Sequence, residues 1–203
     1  LSAMDVTARG DGFSYALSLQ AKGPIVAQGT QGYSVKSAAG QASHYYSQPF
    51  YTVAGTITVG AEAIPVTGQA WLDREWSSQP LAADQTGWDW FSLMFDDGAR
   101  LMGFRLRDAG AGYTSATWID ADGTPTPLPP GALRVTPLRY ATVAERKVPV
   151  DWRLELADKR VDVTVTALNP QAFMATTVPY WEGPIRISGS HSGRGYLEMT
   201  GYD

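Results

Sequence analysis

The sequence predicts an all-β fold, and three observations support this prediction. Short segments in which apolar and polar residues alternate recur along the whole chain, which is typical of half-buried antiparallel strands. The 21 Gly and 13 Pro are enough to separate many strands by turns. Patterns with the helical period are almost absent. We therefore expect an antiparallel sheet closed into a barrel or a two-sheet sandwich, since closure leaves few strand edges unpaired.

Alternation and flanking turn residues set the bounds of the individual strands. Asp97-Gly98 and Asp122-Gly123 favour tight hairpins, because glycine accepts the positive φ that such turns require. Thr124–Pro130 is predicted to be an extended loop, since proline donates no hydrogen bond to a ladder. The predicted strands are Phe13–Gln20, Tyr33–Lys36, Tyr45–Val59, Val66–Trp76, Gly87–Phe95, Leu101–Arg107, Tyr113–Ile119, Leu133–Leu138, Val150–Leu156, Val161–Ala167, Ile185–Ser188 and Tyr196–Thr200.

Composition excludes several classes of function. The net charge is −4 and the 16 Lys and Arg are scattered, so no basic stripe is available for a phosphate backbone, and no nucleic-acid partner is expected. Cysteine is absent, which removes disulfides, thiolate nucleophiles and thiolate metal ligands. The two histidines lack the spacing of a zinc site, so no metal is expected. No apolar window reaches the roughly 20 residues needed to span a bilayer, so no integral membrane segment is expected.

The first 37 residues differ from the rest. They hold a few strand-like pieces and are followed by an Ala/Gly/Ser-rich link at Ser37–Ser43, after which aromatic residues become dense. Residues 1–37 are predicted to be a tail or the remnant of a preceding β domain. Residues 38–203 are predicted to form the main domain.

The stretch from Trp71 to Trp90 holds four of the seven tryptophans together with several charges. In a strand, alternation places Trp71, Asp73 and Glu75 on one face and Leu72, Arg74 and Trp76 on the other. Both faces then mix charge with indole rings. Because a charge on a buried strand face is costly unless it is paired, we expect either a wet cavity or ion pairs here.

The next two strands contribute a second group of charges. Trp88 and Trp90 share one face of Gly87–Phe95, and Asp89 lies on the other. A hairpin at the Asp97-Gly98 turn brings Arg105 near the Gly87–Trp90 end, so that Asp89 or Asp73 is its expected partner. Two interpretations remain open. The charges form a structural ion-pair network around which the indole rings fill space, or they belong to a ligand or catalytic site.

Several blocks of the chain resemble one family. They are Tyr45-Tyr46-Ser47, the run from Trp71 to Ser78, the run from Gly87 to Leu93, Leu101-Met102, Tyr180-Trp181-Glu182-Gly183 and the run from Gly195 to Tyr202. In this order they resemble the AttH-type lipocalin-like proteins, whose superfamily includes the carotenoid 1,2-hydratases. The resemblance implies two lipocalin-like β domains in tandem, of which the blocks belong to the second. It also implies that most of an upstream first domain is missing from this chain. A further implication is that the protein has a cavity suited to an apolar small molecule.

The hydratase branch implies a reaction without a cofactor, in which a general acid protonates an isoprenoid double bond and aromatic faces stabilise the carbocation. On this resemblance Asp73 or Glu75 is the acid, with Arg74 beside them. Arg74 stands where the carotenoid hydratases have histidine, and a permanent cation works against an acid that must keep its proton. The residues expected to contact substrate are Tyr46, Trp71, Trp76, Trp88, Asp89, Trp90 and Arg105.

Three functions fit these residues. The protein is a hydratase-type lyase, or a non-catalytic carrier in which Arg74 or Arg105 binds the polar end of an apolar ligand, or a purely structural β domain with every charge paired. An extracytoplasmic location is expected, since relatives of this type are often exported.

Overall fold

The computed structural model describes residues 1–79 and 81–202, and it confirms the all-β class. The single 3₁₀ turn within these residues is Ala157–Lys159. The first eight strands are β1 Ala3–Gly10, β2 Phe13–Ala21, β3 Val26–Ala27, β4 Tyr33–Val35, β5 Ala42–Val59, β6 Glu62–Trp76, β7 Gly87–Phe95 and β8 Arg100–Arg107. The others are β9 Tyr113–Ile119, β10 Pro125–Pro127, β11 Arg134–Val143, β12 Arg146–Leu156, β13 Val161–Ala167, β14 Phe173–Met174, β15 Tyr180–Gly189 and β16 Gly193–Thr200.

The chain forms two compact units. Unit 1 comprises Leu1–Val26 and Tyr46–Arg74, and unit 2 comprises Ala27–Tyr45 and Glu75–Asp203. These bounds differ from the predicted division at residue 37, and the origin of residues 1–37 as the remnant of a first domain stays a prediction. Among the described residues, no helix is long and apolar enough to span a membrane.

Unit 1 is built on antiparallel pairing of β2 with β1 and β5. Leu17 pairs with Val6 and Gly55, so the alternation of each strand places its apolar residues on one common face. β1 was not predicted, although the Asp11-Gly12 pair between Gly10 and Phe13 is a hairpin signal. Gly12 has φ +76°, the conformation that such a two-residue turn requires.

Unit 2 is built on a ten-stranded antiparallel sheet with the order β10-β9-β8-β7-β16-β15-β13-β12-β11 and with β14 paired to β15. One face of this sheet carries the core. Phe91, Leu93, Leu101, Trp152 and Leu197 each have an exposed fraction of 0%. A cavity wide enough for water beside these side chains would expose part of their surface. These side chains are therefore packed with no room for water beside them.

One sequence prediction about the sheet is wrong. Part of the proline-rich segment Thr124–Pro130 is a ladder strand, because β10 pairs with β9 and places Pro125 opposite Ile119 and Pro127 opposite Thr117. β10 lies at the end of the strand order. A proline at a sheet edge needs no partner on its outer side, so the missing N–H costs little there.

Both predicted Asp-Gly turns are confirmed. The N–H of Gly98 donates to the carbonyl of Phe95, and the N–H of Gly123 donates to that of Asp120. Both glycines have positive φ, at +98° and +91°. The first turn fixes the register of β7 on β8 and places Asp89 opposite Arg105.

Candidate functional site

The predicted site stretch is divided between the two units. Its residues up to Arg74 belong to unit 1, and those from Glu75 onward belong to unit 2. We therefore describe the two parts separately.

In unit 1 the carboxylate of Asp73 acts as an acceptor. The indole Nε1 of Trp71 donates to Asp73 Oδ1 at 2.9 Å, and the hydroxyl of Ser47 donates to the same oxygen. Asp73 and Arg74 are exposed, and Tyr46 is half-buried. Asp73 Oδ1 thus accepts hydrogen bonds from two neighbouring side chains of unit 1.

In unit 2 the carboxylate of Glu75 is held by an ion pair. Glu75 Oε1 lies 2.5 Å from Lys36 Nζ and accepts a hydrogen bond from the hydroxyl of Ser43. Trp76 is 52% exposed and stacks on His44 with ring centroids 5.7 Å apart. Because the carboxylate partners a lysine, Glu75 is placed to accept hydrogen bonds.

Asp89 is the centre of a buried charge network. Its side chain has no exposed surface. Oδ2 accepts from Arg105 Nε at 2.9 Å and contacts Arg105 Nη2 at 2.8 Å. Oδ1 accepts from Arg107 Nη1 at 2.6 Å and from the hydroxyl of Tyr202 at 2.7 Å. Arg107 also donates to the carbonyl of Thr200.

The predicted partnership of Asp89 and Arg105 is thus confirmed, whereas Arg107 and Tyr202 were not predicted as partners. The Arg107 guanidinium lies 4.0 Å from the centre of the Tyr202 ring, a cation–π contact. Burial, and then the charge of Asp89, raise the pKa of Tyr202 well above its ordinary value, so its hydroxyl stays protonated and keeps donating. With its four acceptor positions filled, Asp89 acts as a structural brace.

The face of β7, β8, β15 and β16 that points away from the core carries a different set of side chains. On this outer face, which is opposite to the core face, the register places Trp90 between Phe104 of β8 and Glu198 of β16. Glu198 in turn lies opposite Glu182 of β15. We call the following residues of this face the acid–aromatic patch: Trp88, Trp90, Tyr180, Glu182, Tyr196 and Glu198.

Hydrogen bonds and ring contacts hold the patch together. Trp88 Nε1 donates to Glu198 Oε1 at 2.7 Å, and the Trp88 ring meets the Tyr180 ring edge to face at 6.0 Å. Burial raises the pKa of Glu182 above its ordinary value. Burial, followed by the charges of Glu182 and Glu198, raises the pKa of Tyr180 and of Tyr196. The patch therefore favours a neutral carboxyl group at Glu182.

Part of the outer face is covered by the Ala27–Tyr45 segment of the same unit. The Lys36 ammonium lies 4.0 Å from the centre of the Phe104 ring, and the backbone N–H of Gly29 donates to Thr117 Oγ1 at 3.1 Å. Trp90 Nε1 donates to the hydroxyl of Tyr45 at 3.0 Å. Trp90 thus marks the border between the covered part and the half-buried acid–aromatic patch.

The raised pKa of Glu182 predicts a pH dependence of stability. Above the ordinary glutamate value of 4.5, the folded state keeps the Glu182 proton after the unfolded state has lost it. The free energy of unfolding should therefore fall as pH rises from 4.5 through the raised folded pKa. Glu182→Gln should flatten this part of the profile, measured by urea unfolding from about pH 4 to about pH 8. Equal slopes for the two proteins would contradict the prediction.

The curled antiparallel sheet with a buried apolar face defines a lipocalin-like β protein, as comparison with a solved structure shows. The chain belongs to the AttH-like family, whose model matches residues 1–202. This confirms the family placement that the sequence blocks indicated. No curated protein matches the chain in sequence.

Two solved structures share the fold. An AttH protein of Nitrosomonas europaea is 34% identical, with a TM-score of 0.89 over 99% of this chain and 66% of the other. Kievitone hydratase from Nectria haematococca is 22% identical, with a TM-score of 0.82 over 100% of this chain and 65% of the other. The chain thus spans about two thirds of the length of each of these proteins.

Proposed function

We propose that this protein binds an apolar, isoprenoid-like small molecule on the acid–aromatic patch and adds water across one of its carbon–carbon double bonds. The observation that carries the proposal is the outer-face row in which Trp90, Glu198 and Glu182 are neighbours. Half-buried indole faces suit an apolar chain and a developing carbocation. A carboxyl group whose pKa is raised by burial suits the proton donor.

Similarity to a hydratase supports the reaction type. The chain belongs to the AttH-like family and shares its fold with kievitone hydratase, whose name states hydration; this similarity supports hydration as the proposed reaction. Hydration of an alkene consumes only water, so the proposed reaction needs no cofactor. The core face of unit 2 carries side chains that are fully buried against one another, which favours the outer face as the site.

The proposal differs from the sequence-based assignment of the acid. The resemblance implied Asp73 or Glu75 as the acid, and that assignment stays a prediction. Asp73 accepts hydrogen bonds from Trp71 and Ser47. Glu75 pairs with Lys36 and accepts from Ser43. Trp88 and Trp90 keep their proposed role as substrate contacts. Asp89 and Arg105, buried against each other, are assigned to bracing the site instead.

Mass spectrometry tests the proposal. The protein is incubated in ¹⁸O-labelled water with a panel of isoprenoids that carry a terminal trisubstituted double bond, and products are examined for the mass of one added labelled water. Trp88→Ala should lower product formation at least about tenfold, because it removes an aromatic wall and the donor to Glu198. Tyr140→Ala, which removes another exposed ring in unit 2, is the matched control. Binding without product would indicate a carrier, and neither binding nor product would reject both functions.

A further inference from the structure

Two acidic side chains face each other across one strand pair of unit 2. The register of β15 on β16 places Glu182 directly opposite Glu198, on the same outer face. The Cβ atoms of directly opposed residues lie about 4.5–5.5 Å apart. Side chains at such positions can bring their carboxyl groups together, and a pair of carboxyl groups in contact is stabilised when one of them holds a proton, because two ionised groups repel each other.

The surroundings of the pair are aromatic. The titratable groups that share this face of β15 and β16 with Glu182 are Glu198, Tyr180 and Tyr196. From β7, Trp88 donates to Glu198 Oε1. Among residues 1–79 and 81–202, no salt bridge joins Glu182 to a lysine or arginine. Glu198 Oε1 is thus occupied as an acceptor, whereas burial raises the pKa of Glu182, so we place the shared proton on Glu182.

We propose that Glu182 and Glu198 share one proton and that Glu182 is the catalytic acid of the hydration. This inference rests on the proposed function. The π electrons of the double bond take the Glu182 proton and form a new C–H bond, which leaves a carbocation and a carboxylate. Water forms the C–O bond to the cation, and its surplus proton returns to the carboxylate pair. Alkene and water are consumed, an alcohol is formed, and the acid is regenerated.

Two measurements test the proposal separately from the function. The first is carboxyl ¹³C NMR of the full chain labelled at glutamate, with resonances assigned by Glu182→Gln and Glu198→Gln. We expect the pair to titrate in two separated steps, the upper one well above the ordinary pKa of 4.5. Each single variant should collapse the two steps into one. Independent titration of both groups near the ordinary value would overturn the shared proton, whether or not any substrate is turned over.

The second measurement is kinetic. With a substrate found by ¹⁸O incorporation, Glu182→Gln should lower turnover about 100-fold or more, while binding, followed by tryptophan fluorescence, stays within about twofold. Glu62→Gln, which neutralises an exposed carboxylate of unit 1, should leave turnover unchanged. Full turnover in Glu182→Gln would overturn the assignment of the acid. Absence of turnover in the unmodified protein would reject the hydration and with it the catalytic role, and the NMR titration would still decide whether the pair shares a proton.

Discussion

Replacing Asp89 with asparagine is expected to lower the free energy of unfolding by about 3–5 kcal/mol. The change keeps the shape of the side chain but removes its charge, and it leaves the guanidinium groups of Arg105 and Arg107, which are 16% and 14% exposed, without their counterion. A buried charge that loses its partner is much more costly than an exposed one.

Urea unfolding, followed by tryptophan fluorescence, measures this loss. Six of the seven tryptophans belong to unit 2, so the signal reports mainly on the unit that contains Asp89. Asp151→Asn is the matched control, because Asp151 pairs with Arg139, whose side chain is largely exposed, and an exposed ion pair contributes little. A loss below about 1 kcal/mol for Asp89→Asn would contradict a bracing role.

Replacing Trp152 with alanine is expected to cost about 3–5 kcal/mol, because a large side chain with no exposed surface leaves a cavity in a filled core. Its ring packs against Phe91 with centroids 5.5 Å apart, and the Arg105 guanidinium lies 5.2 Å from its centre. Unfolding followed by far-ultraviolet circular dichroism measures the change without relying on the tryptophan that is removed.

A second variant, Trp152→Phe, separates the contribution of ring packing from that of the indole N–H. The indole Nε1 of Trp152 has no hydrogen-bond partner among the described residues, so phenylalanine loses packing volume but no hydrogen bond. It should therefore cost clearly less than alanine. If both variants lost the same free energy of unfolding, packing of the ring would not account for the loss. An interaction made by Nε1 would then have to be responsible.

Much of the fold could be predicted from local patterns. Alternation located β7, β9 and β13 at the bounds that the structure has, because apolar side chains recur along each strand and turn residues lie close beyond its end. The Asp89–Arg105 pair followed from one tight hairpin, since a short turn fixes the register of its strands. Tyr202 could not be predicted as a partner of Asp89, because the two are brought together by pairing between strands far apart in the sequence.

The Glu182–Glu198 pair was predictable in principle. Both glutamates lie in blocks that carry the family resemblance, but neither was predicted to be a site residue. The Gly- and Ser-rich turn between Gly189 and Gly193 marks a hairpin whose centre lies midway between the two glutamates. Placing that turn would have set them opposite each other. Their partial burial depends on neighbouring strands and has no local signal.

NMR of the indole N–H groups tests the location of the site most directly. The seven tryptophans give separately assignable resonances, which are followed while geraniol, a short isoprenoid alcohol, is added to the ¹⁵N-labelled full chain. We expect the Trp88 and Trp90 resonances to shift together in a saturable manner, and the buried Trp152 and Trp181 to stay in place. Shifts at Trp152 with none at Trp88 or Trp90 would put the ligand inside the core and contradict an outer-face site.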